Sequence, residues 1–343
     1  MTYEHRREED AAEAPGTIPP RPCRAETAAL ATPANGAAVL ARQGWARARA
    51  AMERNGGSDL VNEALVERLW RPLRAVVRSV DWGQHLRGVY ERGVRNALDL
   101  RLERLDLAFG TLPAAFDGYT ILHITDPHFD KLDGITERVV ALVAGLEVDA
   151  CALTGDYGDA QHSRHERILA PLGEVVSAVS ARDGILAVLG NHDSMKLVEP
   201  LERLGVHVLI NETVSLERAG ARIHVTGLDD VHHFYTDDAR KALFSAPAGF
   251  RVALVHSPEI AHVAAEAGVD FYLTGHTHGG QLCLPGGRPI VTNLRCNRAL
   301  AAGLWRRGAM VGYTSTGAGV SVVPVRFNTR GEVTLITLRR APG

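Results

Sequence analysis

A chain of 343 residues with 45% apolar and 23% charged side chains has the makeup of a water-soluble globular protein, long enough for one large domain and an extension. Its formal net charge of −2 excludes a global field that would draw nucleic acid or an anionic membrane, so no specific nucleic-acid binding is expected. Only three of the 38 basic residues are Lys (Lys131, Lys196 and Lys241), so the arginine richness reads as coding bias as readily as function.

The charged start, Met1 to Asp10, leads into no apolar segment of the kind a secretory signal needs. No run of about 18 apolar residues follows, which predicts no transmembrane helix. Cys23, Cys151, Cys283 and Cys296 have no zinc-ribbon spacing and are too few to frame a chain this long. Reduced thiols and a cytoplasmic location are expected.

Residues 1–56 are rich in Ala, Pro, Glu and Arg and are predicted to be largely a disordered tail, with Ala37–Met52 as a candidate helix. Residues 57–115 read as a helical extension. Ser58 is a candidate N-cap, and Leu60, Leu65, Leu69, Leu73, Val76, Val77 and Val80 recur near the helical period. Pro72 should kink that helix. A second helix is predicted over Leu86–Leu107. Packing against the main body is the favoured role of the extension. The alternative is peripheral membrane contact through residues 57–110, with Trp70 and Trp82 as anchors.

From Phe116 the texture changes to short apolar runs: Tyr119–Thr125, Ala150–Thr154, Ile185–Leu189, Ile223–Thr226, Val252–Val255 and Phe271–Thr274. Helical stretches at Ile135–Leu146, Arg167–Ser180 and Ile260–Ala267 separate several of them, which predicts an α/β domain. Val311–Ser315, Val322–Phe327 and Val333–Leu338 then read as closing strands.

Five of these runs end in polar clusters: Asp126-Pro-His128, Gly155-Asp156-Tyr-Gly-Asp159, Gly190-Asn191-His192-Asp193, His256, and Gly275-His276-Thr-His278. Each alone has an ordinary explanation as a chance pair, a turn, a loop or a core histidine. Together, in order and each after a strand, they can converge on one crevice at the carboxyl ends of strands. Carboxylates, imidazoles and one amide, with no thiolate, suit Mn, Fe or Zn. The donors are too many for one tetrahedral ion, and two ions sharing a carboxylate would use them all. His276 and His278 are expected on an extended turn, pointing the same way. Gly155, Gly190, Gly275 and Gly279 allow sharp turns and close backbone approach.

The order Asp-x-His, Gly-Asp-x-x-Asp, Gly-Asn-His-Asp, His, Gly-His-x-His resembles the calcineurin-like metallophosphoesterase superfamily over roughly residues 119–328. Phe116-Asp-Gly-Tyr119, Gly227-Leu-Asp-Asp230 and Gly275–Gln281 look closest to the bacterial YkuE-like phosphodiesterases. The resemblance implies a four-layer α/β sandwich of two mixed sheets flanked by helices, with residues 116–343 as the phosphoesterase domain. It implies Asp126, His128, Asp156 and His278 on a first divalent ion, and Asp156, Asn191, His256 and His276 on a second. It implies hydrolysis of phosphodiester or pyrophosphate bonds by a metal-bridging hydroxide. Asn191 is then also placed to touch phosphate, His192 is the candidate general acid, Asp159 the candidate orienter of His192, and Asp193 a loop staple. Asp229, Asp230, His232 and His162 are weaker candidates for substrate contact. The family often has Leu, Thr or Ile where this chain has Pro127, and Ala160-Gln161 replaces the Arg-Gly of protein phosphatases. A small-molecule, lipid-linked or nucleotide phosphodiester is the expected substrate. The rivals are a lipid or nucleotide-sugar pyrophosphatase and a catalytically silent scaffold.

Overall fold

The computed structural model describes residues 36–54, 83–159, 164–294 and 298–342. The helix expected from Ser58, Pro72, Trp70, Trp82 and His162 lie outside the described residues. The chain opens with α1 (Gly36–Arg54), α2 (Gly83–Leu98), β1 (Arg101–Phe109), β2 (Tyr119–Ile124), α3 (Ile135–Val143) and β3 (Ala150–Leu153). It continues through α4 (Glu166–Ala178), β4 (Ile185–Ala187), α5 (Val198–Arg203), β5 (Val206–Val208), β6 (Glu212–Arg218), β7 (Ala221–Gly227), α6 (Asp237–Ser245) and β8 (Phe250–Leu254). It closes with α7 (Ala261–Glu266), β9 (Phe271–Thr274), β10 (Gly303–Arg307), β11 (Met310–Thr314) and β12 (Glu332–Arg340).

Successive strand residues point to opposite faces, and here both faces are covered. Ile121, Ala150, Ala152 and Leu186 enter a core shared with Val225, Val252, Phe271 and Leu273 of the other sheet. Their neighbours Leu122, Ile124, Cys151 and Leu153 instead meet Val139, Ile168, Leu172 and Leu201 of the helices α3, α4 and α5. Ala253 and Tyr272 meet Ala239, Leu243 and Val263 of α6 and α7 on the far side. Two-sided burial explains why these strands read as unbroken apolar runs.

The first sheet has the order β1-β12-β2-β3-β4-β5 and the second β10-β11-β9-β8-β7-β6. Both are mixed: β2, β3, β4 and β5 run parallel while β12 opposes β2, and β7, β8, β9 and β11 run parallel while β6 and β10 oppose their neighbours. The architecture is the expected four-layer α/β sandwich. Its parallel strands aim their C-terminal ends at one edge, and the site lies there.

Two elements differ from expectation. The helix predicted to run to Leu107 ends at Leu98, and Arg101–Phe109 is a strand paired in parallel with Glu332–Arg340. Leu107 and Phe109, two apart, reach the core between the sheets, which a helix could not arrange. The α/β unit expected from residue 116 thus takes its edge strand from earlier in the chain. The run Val322–Phe327 forms no strand. Its amides go to Ser321, Val323, Gly93 and Gln281 carbonyls instead of a ladder, and only Phe327 makes an isolated bridge, to Leu282. Among the described residues no helix is long and apolar enough to cross a membrane, and Cys151 and Cys283 are buried free thiols.

Candidate metal centre

Loops leaving β2, β3, β4, β8 and β9 bring the five polar clusters together. Asp126, His128 and His278 form one group of donors, and Asp156, His256 and His276 form another, with the donor atoms of each group within 4.8 Å of one another. All six residues are buried. Asp156 faces both groups: its Oδ2 lies 3.5 Å from His128 Nε2 and 3.2 Å from His256 Nε2. Asn191 Oδ1 is 3.1 Å from His256 Nε2, which brings the amide to the second group.

The backbone is unusual at these positions. Asp126, His128, Asp156, His276 and His278 all have positive φ, between 41° and 70°. Side chains rarely adopt this region, and such outliers concentrate where function fixes the chain. His276 and His278 therefore sit on a tight left-handed turn rather than an extended one, and each joins a different group. Two glycines owe their place to close approach. A Cβ on Gly190 would lie 2.1 Å from Asp156 Oδ1, and one on Gly275 would lie 2.1 Å from Asp126 Oδ2.

The surrounding hydrogen bonds fix the donors. Asp126 accepts from Thr125 Oγ1 at 2.7 Å and from the His276 amide at 3.0 Å. Asp156 Oδ1 accepts the His192 amide at 2.9 Å. His256 Nδ1 lies 2.7 Å from the Thr154 carbonyl, which turns Nε2 toward Asp156. Asp193 is a staple: its carboxylate accepts the amides of Asp156, Gly190 and Tyr157 at 2.7, 2.8 and 3.0 Å.

Both ring nitrogens of His128 and Nδ1 of His278 are buried without a hydrogen-bond partner. Burial pushes His128 and His276 well below the ordinary imidazole range and His278 down to about 3. Neutral imidazoles with idle lone pairs, facing carboxylates, are what a cation needs. Burial also pushes the Asp156 carboxyl up, but His256, His192 and His128 more than offset it and hold it well below the usual range. Burial raises Asp126 to about 6. The donor set fits divalent cations.

The remaining predicted residues lie around this core. The His192 ring is 5.3 Å from that of His128, centre to centre. Asp159 Oδ2 meets Lys131 Nζ at 3.2 Å. The His232 ring lies 4.4 Å from that of His276, and its Nδ1 is 2.8 Å from Glu259 Oε1. Asp230 accepts the amides of His232 and His233 and so holds that turn. Both oxygens of Asp229 are engaged by α1: Oδ1 by Arg49 and Oδ2 by Trp45 Nε1 at 2.6 Å. His123 is a core residue, 2.8 Å from Thr154 Oγ1.

Three cations escaped sequence reasoning: Lys131, Arg49 and Arg326. Lys131 stands three residues after His128, a signal that proximity could have supplied. Arg326 is buried with its guanidinium among the carbonyls of Gly319, His278, Thr316 and Gly317. Its only cue is a charge between apolar neighbours.

Comparison with known proteins agrees with this geometry. Residues 119–280 match the family model described as calcineurin-like phosphoesterase. The chain is 28% identical over 238 residues to the uncharacterized metallophosphoesterase YkuE of Bacillus subtilis, spanning 66% of this chain and 82% of that one. It is 29% identical over 248 residues to the uncharacterized metallophosphoesterase YkoQ of the same organism, spanning 70% and 91%. Phosphodiesterase YaeI of Escherichia coli is 28% identical over 234 residues, spanning 64% and 82%.

Proposed function

The chain belongs to the calcineurin-like metallophosphoesterases, which are metal-dependent phosphoester hydrolases, and from that premise we propose that it hydrolyses phosphodiesters with two divalent cations. The observation that carries this reading is the single Asp156 oxygen shared between His128 and His256, one from each donor group. Asp126, His128, Asp156 and His278 would hold one cation, and Asp156, Asn191, His256 and His276 the other. Two cations held there, Mn, Fe or Zn by the oxygen and nitrogen donors, would supply Lewis acidity to water and to the phosphoryl oxygens.

The chain's own groups do the rest. The Asn191 amide can donate to a phosphoryl oxygen while its carbonyl oxygen faces His256. The His192 imidazole, partly exposed beside the centre, donates a proton to the departing oxygen. Asp159, with Lys131 beside it, is the proposed orienter of His192. His232, stacked near His276, lines the mouth with Asp230 behind its turn. The engagement of Asp229 by α1 favours support over substrate contact for that residue. Residues 57–110 retain a proposed membrane contact, supported among the described residues by exposed Val89 and Tyr90 on α2. A small-molecule phosphodiester is the favoured substrate, with lipid-linked and nucleotide esters as the classes to compare.

Asp156→Asn tests the reading. Turnover of an aryl phosphodiester by metal-replete protein should fall by roughly 1,000-fold with the fold intact, and His192→Ala by roughly 100-fold or more. Near wild-type turnover by Asp156→Asn would defeat the shared-carboxylate centre. A silent scaffold would show neither activity nor cation binding in the parent protein.

A further inference from the structure

Helix α1 lies outside the segment that matches the phosphoesterase family, yet it reaches the centre with three residues spaced four apart. Trp45, Arg49 and Glu53 share one helical face. Arg49 is 1% exposed, and its guanidinium carbon sits 3.4 Å over the Phe234 ring. Its Nη2 donates to the Asp193 carbonyl at 2.7 Å and the Gly190 carbonyl at 3.2 Å. Its Nη1 donates to Asp229 Oδ1, and its Nε to Glu53 Oε1 at 3.2 Å. Glu53 in turn accepts from the Met195 amide at 2.8 Å and from Ser194 Oγ at 3.1 Å.

The carbonyls held by Arg49 bracket the two residues that matter most on that loop. Asn191 and His192 stand between Gly190 and Asp193. On one side the Asp193 carboxylate ties the loop to the amides of Asp156 and Tyr157. On the other side α1 grips it through Arg49 and Glu53. Released from α1, the loop keeps the Asp193 carboxylate and the His192 amide bond to Asp156, but nothing from α1 then holds the carbonyls on either side of Asn191 and His192. Burying a guanidinium carries a desolvation cost that an apolar side chain would avoid, so net stability is a poor reason for its presence. A planar fork that reaches a carboxylate and two carbonyls at once is a better one, because a lysine ammonium cannot do the same.

We propose that Arg49 is a positioning residue of the metal centre, acting through the Gly190–Asp193 backbone to set Asn191 and His192, so that α1 is part of the working site. This rests on the two-cation phosphodiesterase reading above. The test uses the full chain loaded with Mn, with Arg49→Met, Arg49→Lys, Trp45→Phe and, as a stability control in the core between the sheets, Phe116→Leu. Turnover of an aryl phosphodiester is measured per folded molecule, beside thermal midpoints and Mn titration followed by calorimetry and by the spin-coupled signal of paired Mn ions.

Arg49→Met should lower kcat by ~10- to 100-fold, as expected when a catalytic loop shifts by about an ångström. KM should change by less than about threefold, since substrate binding is not what was removed. The weaker of two Mn affinities should drop by about tenfold or more, as loss of support behind a ligand typically does. Arg49→Lys should recover thermal midpoint but not kcat. Phe116→Leu should lose thermal midpoint and keep kcat. Should Arg49→Met fail to fold, the Arg49→Lys and Trp45→Phe proteins decide: wild-type kcat and wild-type Mn affinity in both would overturn the inference. So would Arg49→Met with kcat within twofold of wild type, or Arg49→Lys that recovers kcat along with stability. A parent protein that binds paired Mn but hydrolyses no phosphoester would sink the phosphodiesterase reading, and the Mn affinities would still decide the role of Arg49.

Discussion

Two buried arginines, Arg49 and Arg326, stand behind opposite donor groups of the candidate metal centre, and they are held differently. Arg326, 0% exposed, donates to the carbonyls of Gly319, His278, Thr316 and Gly317 behind the Asp126 and His278 half. Burial pulls even this guanidinium down to about 10. Arg49 stands behind the Asn191 half and meets two carboxylates besides its two carbonyls. The first donates only to backbone carbonyls, two of which, those of His278 and Gly317, also accept an amide. The second is presented by one helix whose other contacts with the centre are side chains. A cation among carbonyls acts as a folding element, whereas a cation in a side-chain network acts as an adjustable brace.

The hardest break of this comparison is Arg326→Met. The Gly319 and Thr316 carbonyls lose their side-chain donor while those of His278 and Gly317 keep an amide each, so at about 1–3 kcal/mol per abandoned acceptor a loss of about 3 kcal/mol or more is expected. The free energy of urea unfolding measures it, and stability equal to wild type would erase the difference between the two arginines. The same measurement on Arg49→Met should give a smaller loss, because Asp229 keeps its bond from Trp45 and Glu53 keeps those from Met195 and Ser194.

A second way to sharpen the comparison uses pH. His123 on β2 stands just ahead of Asp126, and burial holds it down to about 4 from 6.5. Between those pH values the unfolded chain binds a proton that the folded chain refuses, so stability is complete above about 6.5 and falls as pH drops toward 4. The loss attributable to this group is on the order of 3 kcal/mol. His123→Gln should flatten the pH dependence of the urea midpoint over that window, and parallel curves for the two proteins would contradict the assignment. The smallest effect is expected from Lys131→Met. Lys131 is an exposed-rim cation, 32% exposed and paired with Asp159. Its removal should change unfolding free energy by less than about 1 kcal/mol, which sets a baseline for the two buried cations.

Much of the candidate centre was legible in the residues because its candidate ligands follow strands. Asp126, Asp156, Asn191, His256 and His276 each come within a few residues of an apolar run that had to be buried on both faces. What was not legible has a common cause. Arg101–Phe109 looked helical because its Leu residues and charges fit either period, and it becomes a strand only by pairing with residues 231 positions away. Val322–Phe327 had strand composition, yet its amides find carbonyls in α2 and in the loop after His278. Arg49 sits among many arginines of an Ala-rich segment, and its partner Asp229 is 180 residues distant. Nothing local marks which of those arginines is buried.

The placement of β12 bears on how the protein is made. This strand is last in sequence yet second in its sheet, between β1 and β2. During translation β1 and β2 leave the ribosome long before the strand that joins them. Until Glu332–Arg340 emerges, β2 has one open flank, and the Asp126–His128 loop that follows it hangs from an unfinished sheet. A message cut short before codon 332 would encode every candidate ligand and still leave that strand without its neighbour. Topology thus ties assembly of the candidate centre to synthesis of Glu332–Arg340.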